Sequence, residues 1–245
     1  KKWPKKPNYI FTCYSLYNDE IFKIYAAECV EKKIPYIVGQ HGNNFSTRIP
    51  YWKFPESYTA NKFLVWGNKH DFINSVETFN LRKPKIVKKR KISAKKGILF
   101  ICQTSYEETN LLESKYDNQN QNSLFLNDLI KNLSLDKQKD LTVRLLNDNT
   151  NEQCCEEQRL RDFDPKIKIE LGKLPIFKLI HSNKLTIFDY DSTGFLECLS
   201  QNIPTLMYIS EKELNYLKDD VLNDYDQLIK LKIIHTNSNQ LSKHV

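Results

Sequence analysis

Apolar residues arrive along this chain in short runs, separated by longer stretches in which they recur every third or fourth position. The runs at 9–13, 34–38, 62–66, 97–102, 141–146, 167–171, 185–188 and 205–209 are rich in branched and aromatic residues. That pattern predicts strands buried on both faces of a parallel sheet. The stretches between them have the helical period. Residues 19–33 predict an amphipathic helix with Ile21, Phe22, Tyr25, Ala26, Cys29 and Val30 on its inner face. Further helices are predicted at 69–78, 123–133, 152–162, 175–181, 211–217 and 221–230, with a late strand at 232–235. The Asn- and Gln-rich patch 117–122 reads as a loop, and no fixed-period repeat is present.

Strand and helix alternate twice, with a break between. The fold class is therefore α/β, with two Rossmann-like parallel-sheet domains in tandem. Residues 1–82 form the first, 97–245 the second, and 83–96 a basic linker. Two such sheets leave a cleft between the carboxyl ends of their strands, where ligands of these folds bind.

The stretch 184–210 is a strand-turn-helix-strand unit. Asp189, Tyr190 and Asp191 make a polar turn; Ser192, Thr193 and Gly194 open a helix with Phe195, Leu196 and Leu199 on one face. Asn202 and Pro204 end it. The start of such a helix offers unpaired backbone N–H groups to an anion, and Ser192 and Thr193 add hydroxyl donors. Glu197 stands just over one turn further in, within reach of a ribose hydroxyl. Taken alone, the turn equally well describes a capped helix that binds nothing, with Ser192 or Asp191 as a simple cap. Phe195 occupies the place where a reciprocal capping box needs Glu or Gln.

Two more polar turns are predicted at strand ends: Gly39-Gln40-His41-Gly42, and Gln103-Thr104-Ser105. Their convergence with the Asp191-Ser192-Thr193 turn favours a ligand there, although the Gln103 turn is also how an ordinary loop begins. Gly39 and Gly42 permit a tight turn close to a ligand, and His41 between them suits a general base or a phosphate donor. A structural role for His41 stands beside that reading. His70 and His181 lie on predicted helices without partners, and His235 and His244 fall in an undefined tail. The chain has no GxxxxGK[ST], GxGxxG or GxSxG, which argues against P-loop, dinucleotide-fingerprint and nucleophile-elbow enzymes. Asp189 and Asp191 resemble a DxD pair, but no third acid stands beside them, so no metal is expected.

Composition narrows this further. Of 245 residues 40% are hydrophobic, ample for a buried core, and no run approaches a membrane span. The six cysteines, Cys13, Cys29, Cys102, Cys154, Cys155 and Cys198, show neither a CxxC pair nor zinc-finger spacing. A reduced, cytoplasmic protein without a secretory signal is expected, and the missing initiator Met suggests a fragment. Of the net charge of +7, much sits in 82–96, which is dense in Lys and Arg and free of acids. Such a run can meet nucleic acid or anionic lipid; with no aromatic residue to stack a base, a solvated linker is favoured.

Gly39-Gln40-His41-Gly42 followed by Phe63-Leu64-Val65-Trp66-Gly67 resembles a family of bacterial surface-carbohydrate transferases, in which a QHG turn precedes a strand ending in Trp-Gly. Ser192 to Glu197, continuing through Asn202-Ile203-Pro204-Thr205, is similar to that family's later motif. More distantly, Tyr190 to Glu197 resembles the matching segment of CDP-glycerol glycerophosphotransferases. The resemblance spans roughly 9–209. It implies a GT-B-like architecture whose first domain is N-terminally incomplete here, and Asn43 stands where the family usually has a further Gly. It further implies a glycosyltransferase, with His41 catalytic and with Gln103, Thr104, Ser105, Asp191, Ser192, Thr193 and Glu197 on the donor nucleotide. The implied substrates are a nucleotide-sugar donor, with no obligatory cofactor or metal, and a glycan or lipid-linked acceptor. A peripheral contact with the inner membrane face is compatible with this, and no nucleic acid is expected. A nucleotide-sugar epimerase shares the architecture. A non-catalytic module docking through the basic linker is the alternative from another class.

Overall fold

The computed structural model describes residues 3–49, 55–67, 74–78, 96–102, 116–145 and 156–245. The chain divides into two compact units, Lys1–Lys85 and Ile86–Val245. Both are α/β, and every strand pairing in either sheet is parallel. Residues 83–95 of the basic linker, the Gln103-Thr104-Ser105 turn, Cys154 and Cys155 lie outside the described residues.

The first unit runs β1 (Ile10–Thr12), α1 (Ser15–Asn18), α2 (Glu20–Glu31), β2 (Tyr36–Gly39), α3 (Asn44–Thr47), α4 (Glu56–Thr59), β3 (Lys62–Trp66) and β4 (Ser75–Thr78). Its sheet has the order β1-β2-β3-β4. Asp19 caps α2 by accepting from the Phe22 N–H at 2.9 Å. The inner face of α2 is narrower than its periodicity suggests. Phe22, Ala26 and Cys29 pack on Ile10, Tyr36, Val38, Phe63 and Val65, while Ile21 and Val30 are exposed. The expected helix over 69–78 is corrected for its last residues. Ser75–Thr78 is a strand, registered Phe63↔Ser75 to Trp66↔Thr78 against β3. Periodicity cannot separate so short a segment into helix or strand; here the β3 edge supplies the partner groups that decide it.

The second unit runs β5 (Ile98–Ile101), α5 (Tyr116–Asn132), α6 (Leu135–Asp140), β6 (Leu141–Arg144), α7 (Glu156–Phe163), β7 (Lys168–Glu170), α8 (Ile176–Ser182), β8 (Leu185–Phe188), α9 (Thr193–Ser200), β9 (Thr205–Tyr208), α10 (Glu211–Leu214), α11 (Asp219–Lys230), β10 (Ile234–His235) and α12 (Ser238–His244). The sheet order is β10-β9-β8-β5-β6-β7. From β5 the chain lays strands outward on one side, returns to β5's other edge with β8, and builds outward again. This is the doubly wound order, and it reverses between β5 and β8. Ile98 and Phe100 of β5 face one core layer with Phe125, Leu129, Val143 and Leu160. Leu99 and Ile101 face the other, with Phe188, Phe195, Cys198 and Met207. Burial on both faces explains why these strands read as unbroken apolar runs.

Two expectations are corrected here. Residues 117–122 are helical, belonging to α5, because the helix anchored by Phe125 to Leu133 propagates backwards through residues of poor intrinsic propensity. The tail is also ordered. His235 is buried in β10, and α12 packs along α5, where Asn132 Nδ2 donates to Asn239 Oδ1 at 2.7 Å. Leu241 of α12 is buried in the same layer as Phe125.

Candidate functional sites at the strand ends

In the first unit, the Gly39-Gln40-His41-Gly42 turn leaves the carboxyl end of β2 between the ends of β1 and β3. Gln40, only 1% exposed, ties it down. Its Nε2 donates to the Gly42 carbonyl at 2.7 Å, its Oε1 accepts from the Trp66 N–H at 2.8 Å, and its own N–H donates to the Leu64 carbonyl at 2.8 Å. The amide therefore bridges the turn to the end of β3, a physical reason for a QHG turn to go with a strand ending in Trp-Gly. Gln40 thus holds the turn in place. Asn43 is buried, and its carbonyl accepts from the Thr47 N–H at 3.0 Å and the Thr47 hydroxyl at 3.3 Å, closing the turn into α3.

His41 is half-buried between two aromatic rings. Tyr14 lies with its centroid 4.9 Å away at 71°, and Phe45 5.0 Å away at 78°. Edge-to-face packing on both sides fixes the plane of the imidazole. Tyr14 stands between β1 and α1: its N–H and that of Ser15 both donate to the hydroxyl of Thr12, the last residue of β1, at 3.2 and 2.9 Å.

In the second unit, the Asp189–Thr193 turn leaves β8 at the point where the strand order reverses, between β5 and β9. Ser192 is the N-cap of α9, its Oγ accepting from the Phe195 N–H at 3.1 Å. The simple cap read from the sequence is thus present, and the hydroxyl keeps its proton for donation. Thr193 opens the helix and Glu197 follows one turn later, both half-buried. A Cβ on Gly194 would lie 3.2 Å from Phe188 Cε1, so this glycine lets the first turn of α9 settle onto the end of β8. At the far end Asn202 takes φ of 53°, and the Ile203 N–H returns to the Cys198 carbonyl at 2.9 Å.

Asp191 is 3% exposed and its Oδ1 accepts from the Tyr225 hydroxyl of α11 at 2.7 Å. The carboxylate is therefore committed to holding the turn against α11. Asp189 is equally buried, at the end of β8. Burial, reinforced by the negative charges of Asp189 and Glu156 against an opposing Arg159, pushes the Cys102 thiol well above its usual range. Burial together with Glu213, Asp189 and Glu211 pushes the Tyr208 phenol up to about 12. Cys102 at the end of β5 is thus a protonated thiol rather than a nucleophile, and Tyr208 at the end of β9 is a hydrogen-bond donor. The strand ends around the turn present hydroxyls and carboxylates, with the α9 amides as the feature suited to an anion.

Among the described residues no group of three or more His, Cys, Asp or Glu is placed to hold a metal. Cys13, Cys29, Cys102 and Cys198 are free thiols. No helix among the described residues is long and apolar enough to cross a membrane. Sequence reading missed Tyr14, Tyr225 and the bridging role of Gln40. Only Gln40 left a signal, the pairing of its turn with Trp66.

Among solved structures, the wall teichoic acid polymerase TagF is similar at a TM-score of 0.41 and 13% identity. The similarity covers 86% of this chain and 58% of the TagF chain, so this chain spans a little over half of that polymerase's length. No curated protein matches the sequence. The sequence profile of one family matches residues 1–245 throughout, and the chain belongs to that family, the LIC12162 family transferases.

Proposed function

We propose that this transferase moves a sugar or related group from a nucleotide-activated donor to a surface-glycan acceptor, within a GT-B-like organisation. The observation that carries the reading is the placement of the Ser192 turn. It opens α9 at the reversal of a doubly wound sheet, where folds of this order take their nucleotides. On this reading the α9 amides, Thr193 and the Ser192 hydroxyl proton hold the departing phosphate, with no metal required. Glu197 accepts from the ribose hydroxyls. Asp191 keeps the turn in place through Tyr225. His41, its ring plane set by Tyr14 and Phe45, takes the proton from the acceptor hydroxyl as the new bond forms. Gln103, Thr104 and Ser105 remain assigned to the donor.

Two measurements test this. A thermal-shift screen of nucleotides and nucleotide sugars should find a stabilising ligand, since a donor at about a hundred times its Kd adds about 2.7 kcal/mol to the native state. His41→Ala should abolish transfer while leaving that shift intact; unchanged turnover would remove His41 from the mechanism. Product analysis without added acceptor separates transfer from epimerisation, because an epimerase needs no acceptor.

A further inference from the structure

At the edge of the second unit's sheet, two histidines stand apart from the chemistry above. His235 ends β10, the edge strand, and His244 ends α12, the helix that follows it. Their ring centres are 5.0 Å apart and the ring planes are inclined at 37°. One nitrogen of each ring is committed to the backbone. His235 Nε2 lies 2.8 Å from the Lys232 carbonyl, and His244 Nδ1 lies 2.8 Å from the Gln240 carbonyl. A carbonyl only accepts, so in the neutral ring each of these nitrogens carries the proton. Both tautomers are thereby fixed, and the lone pairs fall on His235 Nδ1 and His244 Nε2. Among the described residues neither of those nitrogens takes part in a hydrogen bond. His235 is buried and its backbone is held, with its carbonyl accepting from the Ile209 N–H at 3.0 Å. His244 is exposed, which leaves the pair open to an ion from solution.

We propose that His235 and His244 together bind one transition-metal ion, zinc or nickel, which clamps the last turn of α12 to the end of β10. A metal about 2.0–2.1 Å from each nitrogen, at a tetrahedral angle, sets two imidazole centres about 5 Å apart. That is the separation found here. The two backbone carbonyls supply what a metal-binding imidazole ordinarily needs, a partner for the other ring N–H that fixes the tautomer and orients the ring. Among the described residues no third His, Cys, Asp or Glu joins the pair, so water completes the coordination. Imidazole nitrogens suit zinc and nickel, whereas magnesium and calcium take oxygen ligands. The Lys232 ammonium opposes a cation here, but Lys232 is exposed and solvent ions screen it. The site is independent of group transfer, since neither histidine has a part in that reaction.

The test uses the whole chain, isotope-labelled for NMR, with zinc as the probe. Proton–nitrogen correlation spectra of the metal-free protein should show His235 protonated at Nε2 and His244 at Nδ1. One equivalent of zinc should move the His235 Nδ1 and His244 Nε2 resonances together, and magnesium should move neither. Zinc at about a hundred times its Kd should raise the melting temperature of the second unit by about 5 °C. His244→Ala changes an exposed side chain, so without metal it should melt as wild type does. With zinc it should lose that rise and bind at least about tenfold more weakly. A titration that moves neither nitrogen, or only one of them, overturns the clamp. So does a His244→Ala protein that binds zinc as wild type does.

Discussion

Gln40→Ala is the substitution whose consequence follows most directly from the structure. The side chain is 1% exposed and closes two hydrogen bonds, one to the Gly42 carbonyl at 2.7 Å and one from the Trp66 N–H at 2.8 Å. Removing the amide leaves one acceptor and one donor without it. A fully shut-away group left so costs about 1–3 kcal/mol. Gly42 and Trp66 are half-buried, so water reaches them in part and the lower end applies, about 1 kcal/mol for each. Loss of the packed stem adds about 1 kcal/mol more. The sum, about 2–3 kcal/mol, lowers the melting point of a unit the size of Lys1–Lys85 by about 10 °C or more. Trp3, Trp52 and Trp66 are the chain's three tryptophans and all fall in that unit, so tryptophan fluorescence during urea or thermal unfolding follows it selectively. Gln40→Glu offers a control: it keeps an acceptor for Trp66 but sets an oxygen against the Gly42 carbonyl, and should rescue little. A loss below about 0.5 kcal/mol in Gln40→Ala, within the range of ordinary surface changes, would refute the bridge.

Tyr225→Phe removes the donor to the buried Asp191 carboxylate and should cost about 1–3 kcal/mol in urea unfolding of the second unit, with Asp191→Asn in the same background recovering part of it. His235 sets an acid limit. Burial holds its pKa below the ordinary 6.5, with His244 adding to the effect and the hydrogen bond from Nε2 to the Lys232 carbonyl opposing it. The neutral ring belongs to the folded state, so the stability it contributes is whole above pH 6.5 and is lost as pH falls through the lower folded value. Unfolding free energies measured at pH 7.5 and downward should show that loss, and His235→Gln should flatten it.

Much of this architecture was legible before any coordinate. β5 and β8 sit in layers closed on both sides, so their residues are apolar at all positions but Thr186, and Ile98–Ile101 and Leu185–Phe188 announce themselves. The Ser192 cap and the Asn202 stop are local chemistry, decided within a few residues of chain, and were equally readable. What stayed hidden was whatever depended on a distant partner. Ser75–Thr78 has no strand signal of its own; the open edge of β3 makes it one. Residues 117–122 are helical because the segment after them is anchored. Gln40 finds Trp66 across 26 residues, Tyr225 finds Asp191 across 34, and Tyr14 meets His41 only because β1 and β2 pair side by side. Periodicity and capping are properties of neighbours along the chain, which is why most of the longer elements, and the Ser192 cap and Asn202 stop, could be read without coordinates. Which polar groups satisfy one another once water is excluded is a property of neighbours in space, and so it emerges with the packed fold.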